Sequence, residues 1–339
     1  MPSRILVTGG TGYIGAHVVV SLARAGVAPV AFDNLANSSA SVHSRLERLT
    51  GIDIPLIIAD VRDRGALDRT FGEHRFDAVV HCAGLKAVGE GEAQPLAYYD
   101  NNVGGSIVLV QAMREAGVRT LVFSSSASVY GQPERNPVAE DGTVQPANVY
   151  GRTKRTVELM LERIARADPS WRIALLRYFN PAGADASGAI GEAPSRAPNN
   201  LVPILAEVAL GRRPQIEIFG DDYPTPDGTG VRDYIHVTDL ADGHVAALRY
   251  LAKATGAVTL NLGLGHGSSV REVVAAFERA CGRRLPQRVA PRRPGDVACY
   301  YADPARANAL LEWRARRELD EICADAWRWA SSGLRGRES

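Results

Sequence analysis

Residues 8–15 read TGGTGYIG, directly after the apolar run RILV and running into the helix-length stretch GAHVVVSLARAG, which stops at Gly26. A glycine turn of this density between a strand and a helix restricts the fold more than any other part of the chain. Gly10, Gly12 and Gly15 fit G-x-G-x-x-G, and Gly9, Gly12 and Gly15 fit G-x-x-G-x-x-G. Missing side chains let backbone close on a pyrophosphate, and the helix start offers unpaired N–H groups and positive partial charge. The pattern alone is weak; the strand before it and the helix after it are the context it needs. Asp33 ends the next strand-like run, APVAFD. A carboxylate there accepts hydrogen bonds from ribose hydroxyls and repels a 2′-phosphate, which favours NAD over NADP. Asp60 ends a third run, IPLIIAD, and is a weaker acceptor candidate on the adenine side.

Further apolar runs follow: DAVVHCAG (77–84), RTLVFSSS (119–126), RIALLRYFN (172–180) and AVTLNLG (257–263). Helix-length stretches such as DRGALDRTFGEH and NNVGGSIVLVQAMREAG separate the earlier ones. Nearly all-apolar strands alternating with helices predict a parallel sheet covered on both faces. From Pro181 to Thr229 the chain changes character, with many Pro, Gly and Asn residues and one clear helix, NNLVPILAEVALG. The fold class expected is α/β: a Rossmann-type doubly wound parallel sheet with a smaller mixed α/β substrate-binding domain. Residues 1–180 should form the NAD-binding part, with 231–263 returning to it, and 181–230 with 264–339 the substrate part. Helices are expected around 269–281 and 317–331.

Composition narrows the partners. A formal net charge of +1 over 339 residues creates no overall field for nucleic acid or an anionic membrane. The five arginines of GRRLPQRVAPRRPGD stand without a wider basic excess or interleaved aromatics, so a diphosphate is a better partner for one or two of them. No stretch approaches the ~20 apolar residues of a membrane span, and the N-terminal apolar run is too short for a secretory signal. Cys82, Cys281, Cys299 and Cys323 form no C-x-x-C pair. Reduced thiols, no metal site and a cytoplasmic location are expected.

Tyr150 precedes Lys154 by one helical turn in VYGRTKR, and Val157, Met160, Leu161 and Ile164 continue an amphipathic helix behind them. A tyrosine titrates near pH ~10, so it needs help to act as a base at neutral pH. Two nearby positive charges, Lys154 and an oxidised nicotinamide, would favour the phenolate. A drop of ~3 units takes about 4 kcal/mol of differential stabilisation. The serines of VFSSSASVYG end a buried strand at the sheet's carboxyl edge, where open α/β folds bind ligands. Such a hydroxyl both donates and accepts, so it can pass a proton between a substrate oxygen and Tyr150.

With these pieces in place the chain resembles the extended short-chain dehydrogenase/reductases, and within them the UDP-glucose 4-epimerases. The likeness runs through VTGGTGYIG, DNLANS, HCAGLKAVGE, YYDNNV, FSSSASVYG, YGRTK, LRYFNPAGA, PNNLVP, IFGDDYPTPDGTGVRDYIHVTDLADGHV and PRRPGD. It implies Tyr150 as the base for the sugar 4-hydroxyl, Lys154 as its modulator and nicotinamide-ribose ligand, and Ser126 as the proton-shuttling hydroxyl. Implied cofactor positions are Gly9, Gly12, Tyr13, Ile14, Gly15, Asp33, Asn34, Asn37, Ser38, Asp60, Val61, Cys82, Ala83, Gly84, Lys86, Asn101 and Tyr178, beside Ser126, Tyr150 and Lys154. Implied UDP-sugar positions are Lys86, Ser126, Tyr150, Asn180, Asn200, Leu201, Phe219, Arg232, Arg293, Asp296 and Tyr300. The implied reaction interconverts UDP-galactose and UDP-glucose through a transient 4-keto sugar that turns over in the site, with NAD tightly bound and not consumed. Tyr300 matches the position that limits room for a 2-N-acetyl group. A homodimer through helices near 101–117 and 150–167 is also implied.

Two positions depart from the relatives: Cys82, where many carry an aromatic or aliphatic residue, and Val149, where proline often precedes the tyrosine. The nearest alternative is a sugar-nucleotide 4,6-dehydratase or decarboxylase, which needs a carboxyl group just after the catalytic hydroxyl; Ala127 and Ser128 stand there instead. A non-catalytic NAD-sensing protein would have no need of Ser126, Tyr150 and Lys154 together.

Overall fold

The computed structural model describes residues 3–193, 198–293 and 295–334. The chain begins with β1 (Arg4–Thr8), α1 (Tyr13–Arg24), β2 (Ala28–Asp33), α2 (Ala40–Thr50), β3 (Leu56–Ile58), α3 (Arg64–Glu73) and β4 (Ala78–His81). Two short helices, α4 (Val88–Ala93) and α5 (Pro95–Tyr98), lead through a π-helical turn (Tyr99–Gly104) into α6 (Gly105–Glu115). Then come β5 (Thr120–Ser124), a 3₁₀ turn (Ala127–Val129), α7 (Val149–Ala167), β6 (Arg172–Tyr178) and β7 (Asn180–Ala182). The remainder holds α8 (Leu201–Ala209), β8 (Ile216–Phe219), β9 (Val231–Arg232), β10 (Tyr234–His236), α9 (Val237–Leu251), β11 (Gly256–Leu262) and β12 (Ser268–Ser269). It closes with α10 (Val270–Cys281), β13 (Gln287–Ala290), β14 (Cys299–Tyr300), α11 (Ala305–Leu311) and α12 (Leu319–Ser331).

Seven parallel strands form the central sheet in the order β11-β6-β5-β4-β1-β2-β3. Side chains alternate between its faces, so each strand must be apolar on both. Ile5 and Val7 of β1 face a core with Val18 and Leu22 of α1 and Val245 and Leu248 of α9. Leu6 faces the opposite core with Leu67 of α3, Leu109 and Met113 of α6 and Leu161 of α7. Strand order reverses between β1 and β4, and such a switch point opens a crevice at the strands' carboxyl ends.

A separate core joins α8, α10 and α12 through Leu205, Val273, Phe277, Ile322 and Ala326. Small sheets attach it to the large one: β7 with β10, β8 with β13, and β9 between β12 and β14. Their strands are two to four residues long.

The helix expected over 101–117 differs at its start, where Tyr99–Gly104 is a π turn. Asn102 explains why the turn is wide. Its side chain accepts from Leu85 N–H at 2.8 Å and donates to Leu85 C=O and to Thr153 Oγ1, both at 3.0 Å. Among the described residues no helix is long and apolar enough to cross a membrane, and no cluster of His, Cys, Asp or Glu could hold a metal ion.

Candidate active site

A cleft of about 430 Å³ runs along the carboxyl ends of the strands. The glycine turn makes one wall of it. Gly9 has φ +68°, and a Cβ there would lie 2.7 Å from Ala83 N; a Cβ on Gly15 would lie 2.0 Å from Gly9 C=O. Gly10 instead packs against β2, where a Cβ would meet Ala31 Cβ at 2.8 Å. Gly12 is the N-cap of α1 and provides no side-chain cap. The first N–H groups of α1 therefore lack a capping side chain, which is the arrangement that suits a phosphate.

Asp33 is buried at the end of β2 and organises the neighbouring loop. It accepts from Thr11 N–H at 3.1 Å, Leu35 N–H at 2.8 Å and Ser38 Oγ at 3.2 Å. An ionised carboxylate has about four acceptor positions, so one remains for a ribose hydroxyl. Asn34, Asn37, Ser38 and Val61 line the same end of the cleft. Asp60 stands just outside the lining and reaches it through Asn34, whose Nδ2 donates at 2.9 Å. Hydrogen bonds from Arg62 hold the Asp60 carboxyl well below the usual carboxylate range. Tyr13, Ile14, Cys82, Ala83, Gly84, Lys86, Asn101 and Tyr178 line the cleft as well. The glycine cradle, the uncapped helix start and the single acid fit a dinucleotide without a 2′-phosphate.

At the other end stands Tyr150, in the first turn of α7. Asn148 caps that helix by accepting from Gly151 N–H at 2.8 Å. Val149 N–H donates to Glu92 at 2.8 Å, a bond that a proline at 149 could not make. Lys154 is buried; its Nζ donates to Ser124 C=O at 2.8 Å and lies 4.8 Å from the Phe123 ring centre and 5.9 Å from that of Tyr150. Burial lowers the Lys154 ammonium to about 8, against the pull of Cys82 and Glu158. Ser126 lies beyond β5 and caps the 3₁₀ turn by accepting from Ser128 N–H at 3.2 Å.

Burial raises the Tyr150 pKa, and only a hydrogen bond with Ser126 pulls it back. Burial also pushes the Cys82 thiol up to about 11 beside the Ser124 hydroxyl, 3.2 Å away.

The implied UDP-sugar positions fall in two groups. Lys86, Ser126, Tyr150, Asn180 and Asn200 line the cleft. Leu201, Phe219, Arg232, Arg293, Asp296 and Tyr300 lie outside its lining. Leu201 follows Asn200 as the first residue of α8. The Arg293 guanidinium stacks 3.8 Å from the Phe219 ring centre, and Arg232 pairs with Asp296 at 3.8 Å. Tyr300 pairs in register with Arg232 and joins this group to the cleft. Its hydroxyl donates to Ala127 C=O, next to Ser126, and its ring lies 5.1 Å from that of Phe179, a cleft residue.

Three further lining residues carry no motif. Glu192 accepts from Lys86 Nζ at 2.8 Å and Asn200 Nδ2 at 3.1 Å. Trp329 of α12 donates from Nε1 to Glu192 C=O at 3.2 Å, and the Arg45 guanidinium lies 5.5 Å from its ring centre.

The sequence profile of the NAD dependent epimerase/dehydratase family matches residues 5–263. The chain belongs to this family. Within the epimerase/dehydratase family its relatives include the UDP-glucose 4-epimerase of Neisseria meningitidis serogroup C, 54% identical over 98% of both chains. That of Bacillus subtilis (strain 168) is 53% identical over 99% of both. Among solved structures, the UDP-glucose 4-epimerase of Stenotrophomonas maltophila, with bound NAD and formylated UDP-arabinopyranose, superposes with a TM-score of 0.97 at 49% identity, covering 98% of this chain and 99% of that one. The Bifidobacterium longum enzyme, in complex with NAD+ and UDP, gives 0.94 at 45% identity, over 98% of this chain and 100% of that one.

Proposed function

We propose that this chain catalyses the NAD-dependent 4-epimerisation that interconverts UDP-galactose and UDP-glucose. The observation that carries the reading is the meeting of Ser126, Tyr150 and Lys154 at one end of a cleft whose other end is the glycine turn and Asp33. Full-length identity of about half to UDP-glucose 4-epimerases supports it. Gly9, Gly12 and Gly15 would hold the pyrophosphate of NAD, Asp33 its adenosine ribose, and Lys154 its nicotinamide ribose. NAD, when bound, supplies a reversible two-electron oxidation at the sugar C4.

The chain's own residues manage the proton and the substrate. Tyr150 takes the proton of the 4-hydroxyl and returns it after the ring has turned. Ser126 bonds to Tyr150 and can hand that proton on. Because burial favours the neutral phenol, the base form depends on positive charge delivered with the cofactor. Arg232 and Arg293 suit a diphosphate, and Phe219 with Arg293 offers a stacking platform. Affinity resting on the unreacting UDP leaves the sugar free to turn. Tyr300 is fixed at both ends of its side chain, which supports a preference for sugars with a plain 2-hydroxyl; comparable turnover of UDP-N-acetylglucosamine would overturn that part.

Incubation with UDP-galactose and no added NAD tests the whole reading. UDP-glucose is expected. A stable keto sugar would indicate a dehydratase, and an unchanged substrate a non-catalytic protein.

We infer two further properties. Leu96, Tyr99, Ile107 and Leu159 are large exposed apolar side chains on α5, the π turn, α6 and α7. A second copy of the chain is the proposed occupant of that surface, giving a homodimer; a monomer on size-exclusion chromatography would exclude it. The four free cysteines suit the reducing cytoplasm.

A further inference from the structure

The serine run after β5 is held from one side by a single helix. Tyr150, Lys154 and Glu158 stand one helical turn apart on α7, and all three are buried. Each engages a different residue of the run. Tyr150 bonds to Ser126. Lys154 Nζ donates to Ser124 C=O at 2.8 Å. Ser125 Oγ donates to Glu158 Oε1 at 2.6 Å. The first two contacts belong to the chemistry already described; the third does not.

Glu158 is itself rigidly set. Arg177 of β6 grips it with two bonds of 2.8 Å, from Nε to Oε1 and from Nη2 to Oε2. Arg155 adds a bond of 3.0 Å to Oε2. The Arg177 guanidinium lies 4.8 Å from the Tyr130 ring centre, and Tyr130 OH donates to Asn261 of β11 at 2.7 Å. Such a bidentate pair fixes direction as well as distance. The carboxylate therefore refers the serine run to β6 and β11, not only to α7.

We propose that Glu158 is a positioning residue for the epimerase reaction, which sets the serine run in register with α7 through the Ser125 hydroxyl so that Ser126 meets Tyr150. Backbone here needs that help, because the strand ladder to β6 stops at Ser124. Ser125 N–H then turns back to Phe123 C=O at 3.0 Å, leaving Ser125 and Ser126 outside the sheet. Glu158 touches no reacting atom in this account. Its negative charge one turn from Lys154 also opposes the loss of the Lys154 proton.

The inference rests on the proposed epimerase activity, so the parent protein is measured first; no conversion of UDP-galactose by the parent would refute that activity itself. Ser125→Ala is the informative variant, since it leaves the Glu158–Arg177 pair whole. A displacement of catalytic groups of about 1 Å reduces rate about a hundredfold. Ser125→Ala should lower kcat by about tenfold to a hundredfold, with KM for UDP-galactose and bound NAD retained and the thermal midpoint only modestly lowered by the lost buried hydrogen bond. Ser125→Thr, which restores the hydroxyl, should recover most of the loss. A kcat equal to the parent's would overturn the proposal. So would a kcat loss accompanied by a fall in bound NAD, or one that Ser125→Thr fails to repair.

Discussion

The glycine turn and the proposed UDP-sugar region are built on opposite plans. The glycine turn works by having nothing on its α-carbons, and its elements follow one another closely: β1, α1, β2 and the Asp33 loop. The proposed UDP-sugar positions are side chains gathered from distant points: Asn180 and Asn200 in the cleft, then Phe219, Arg232, Arg293, Asp296 and Tyr300 outside its lining. One end depends on backbone fit, so any added atom is intrusive. The other distributes its contacts, so single losses should be graded. Ser126, Tyr150 and Lys154, at the far end of the cleft from the glycine turn, belong to neither plan and are the small set on which the proposed chemistry depends.

Experiments can break this contrast. The largest effect is expected at the centre: Tyr150→Phe should reduce turnover of UDP-galactose by about 10²–10⁴-fold while bound NAD, read spectroscopically, stays. Unchanged turnover would remove Tyr150 as the base. Gly15→Ala should come next. Its Cβ would lie 2.0 Å from Gly9 C=O, and overpacking of this kind costs about 1–3 kcal/mol. Both NAD retention and thermal midpoint should fall together. A variant that keeps its NAD would mean the turn is less demanding than its geometry suggests.

Acid should weaken the large sheet's side of the molecule. Burial lowers His17, His81 and His244 to about 4, 3 and 4. The unfolded chain binds protons at these groups below pH ~6.5, and the folded one does not. Stability from this source is complete above that pH and is lost as pH falls toward 4. At pH 5 each should remove about 2 kcal/mol, seen as a falling denaturation midpoint between pH 6.5 and 5. A flat midpoint would argue against neutral buried imidazoles. The smallest effect is expected at the UDP-sugar end. Arg293→Ala should weaken UDP binding by about tenfold, the scale of one charged hydrogen bond, with NAD retained. A loss far beyond that would make this end as brittle as the glycine turn.

The same contrast decides what was legible in the sequence. The strands of the large sheet are buried on both faces, so β1, β2, β5, β6 and β11 stand out as apolar runs, and β2 coincides with APVAFD. Strands of two or three residues, such as β9, β12 and β14, are too short for any period to register. Helix α2 was not anticipated, because only Arg45 and Leu46 of it are buried and its apolar stripe is thin. The π turn, YDNNVG, carries no period of its own, and the contacts of Asn102 with Leu85 and Thr153 that accompany it are tertiary. Tyr150 and Lys154 announce themselves by spacing. The Arg and Asn positions at the UDP-sugar end do not, and they were reached only through family resemblance. Glu192 and Trp329 had no signal at all. Spacing makes Tyr150 and Lys154 neighbours, but it does not show that the Lys154 ammonium also donates to the Ser124 carbonyl.

Trp329 has a consequence for how the molecule comes into being. It closes the cleft beside Glu192, and a Cβ on Gly191 would lie only 2.4 Å from its ring. In chain order it follows every strand of the large sheet. A ribosome adds about 5–20 residues per second, so tens of seconds pass between the emergence of the glycine turn and that of Trp329. During that interval a nascent chain can own a finished sheet and an unfinished pocket. The lining of the cleft is thus completed late in its synthesis.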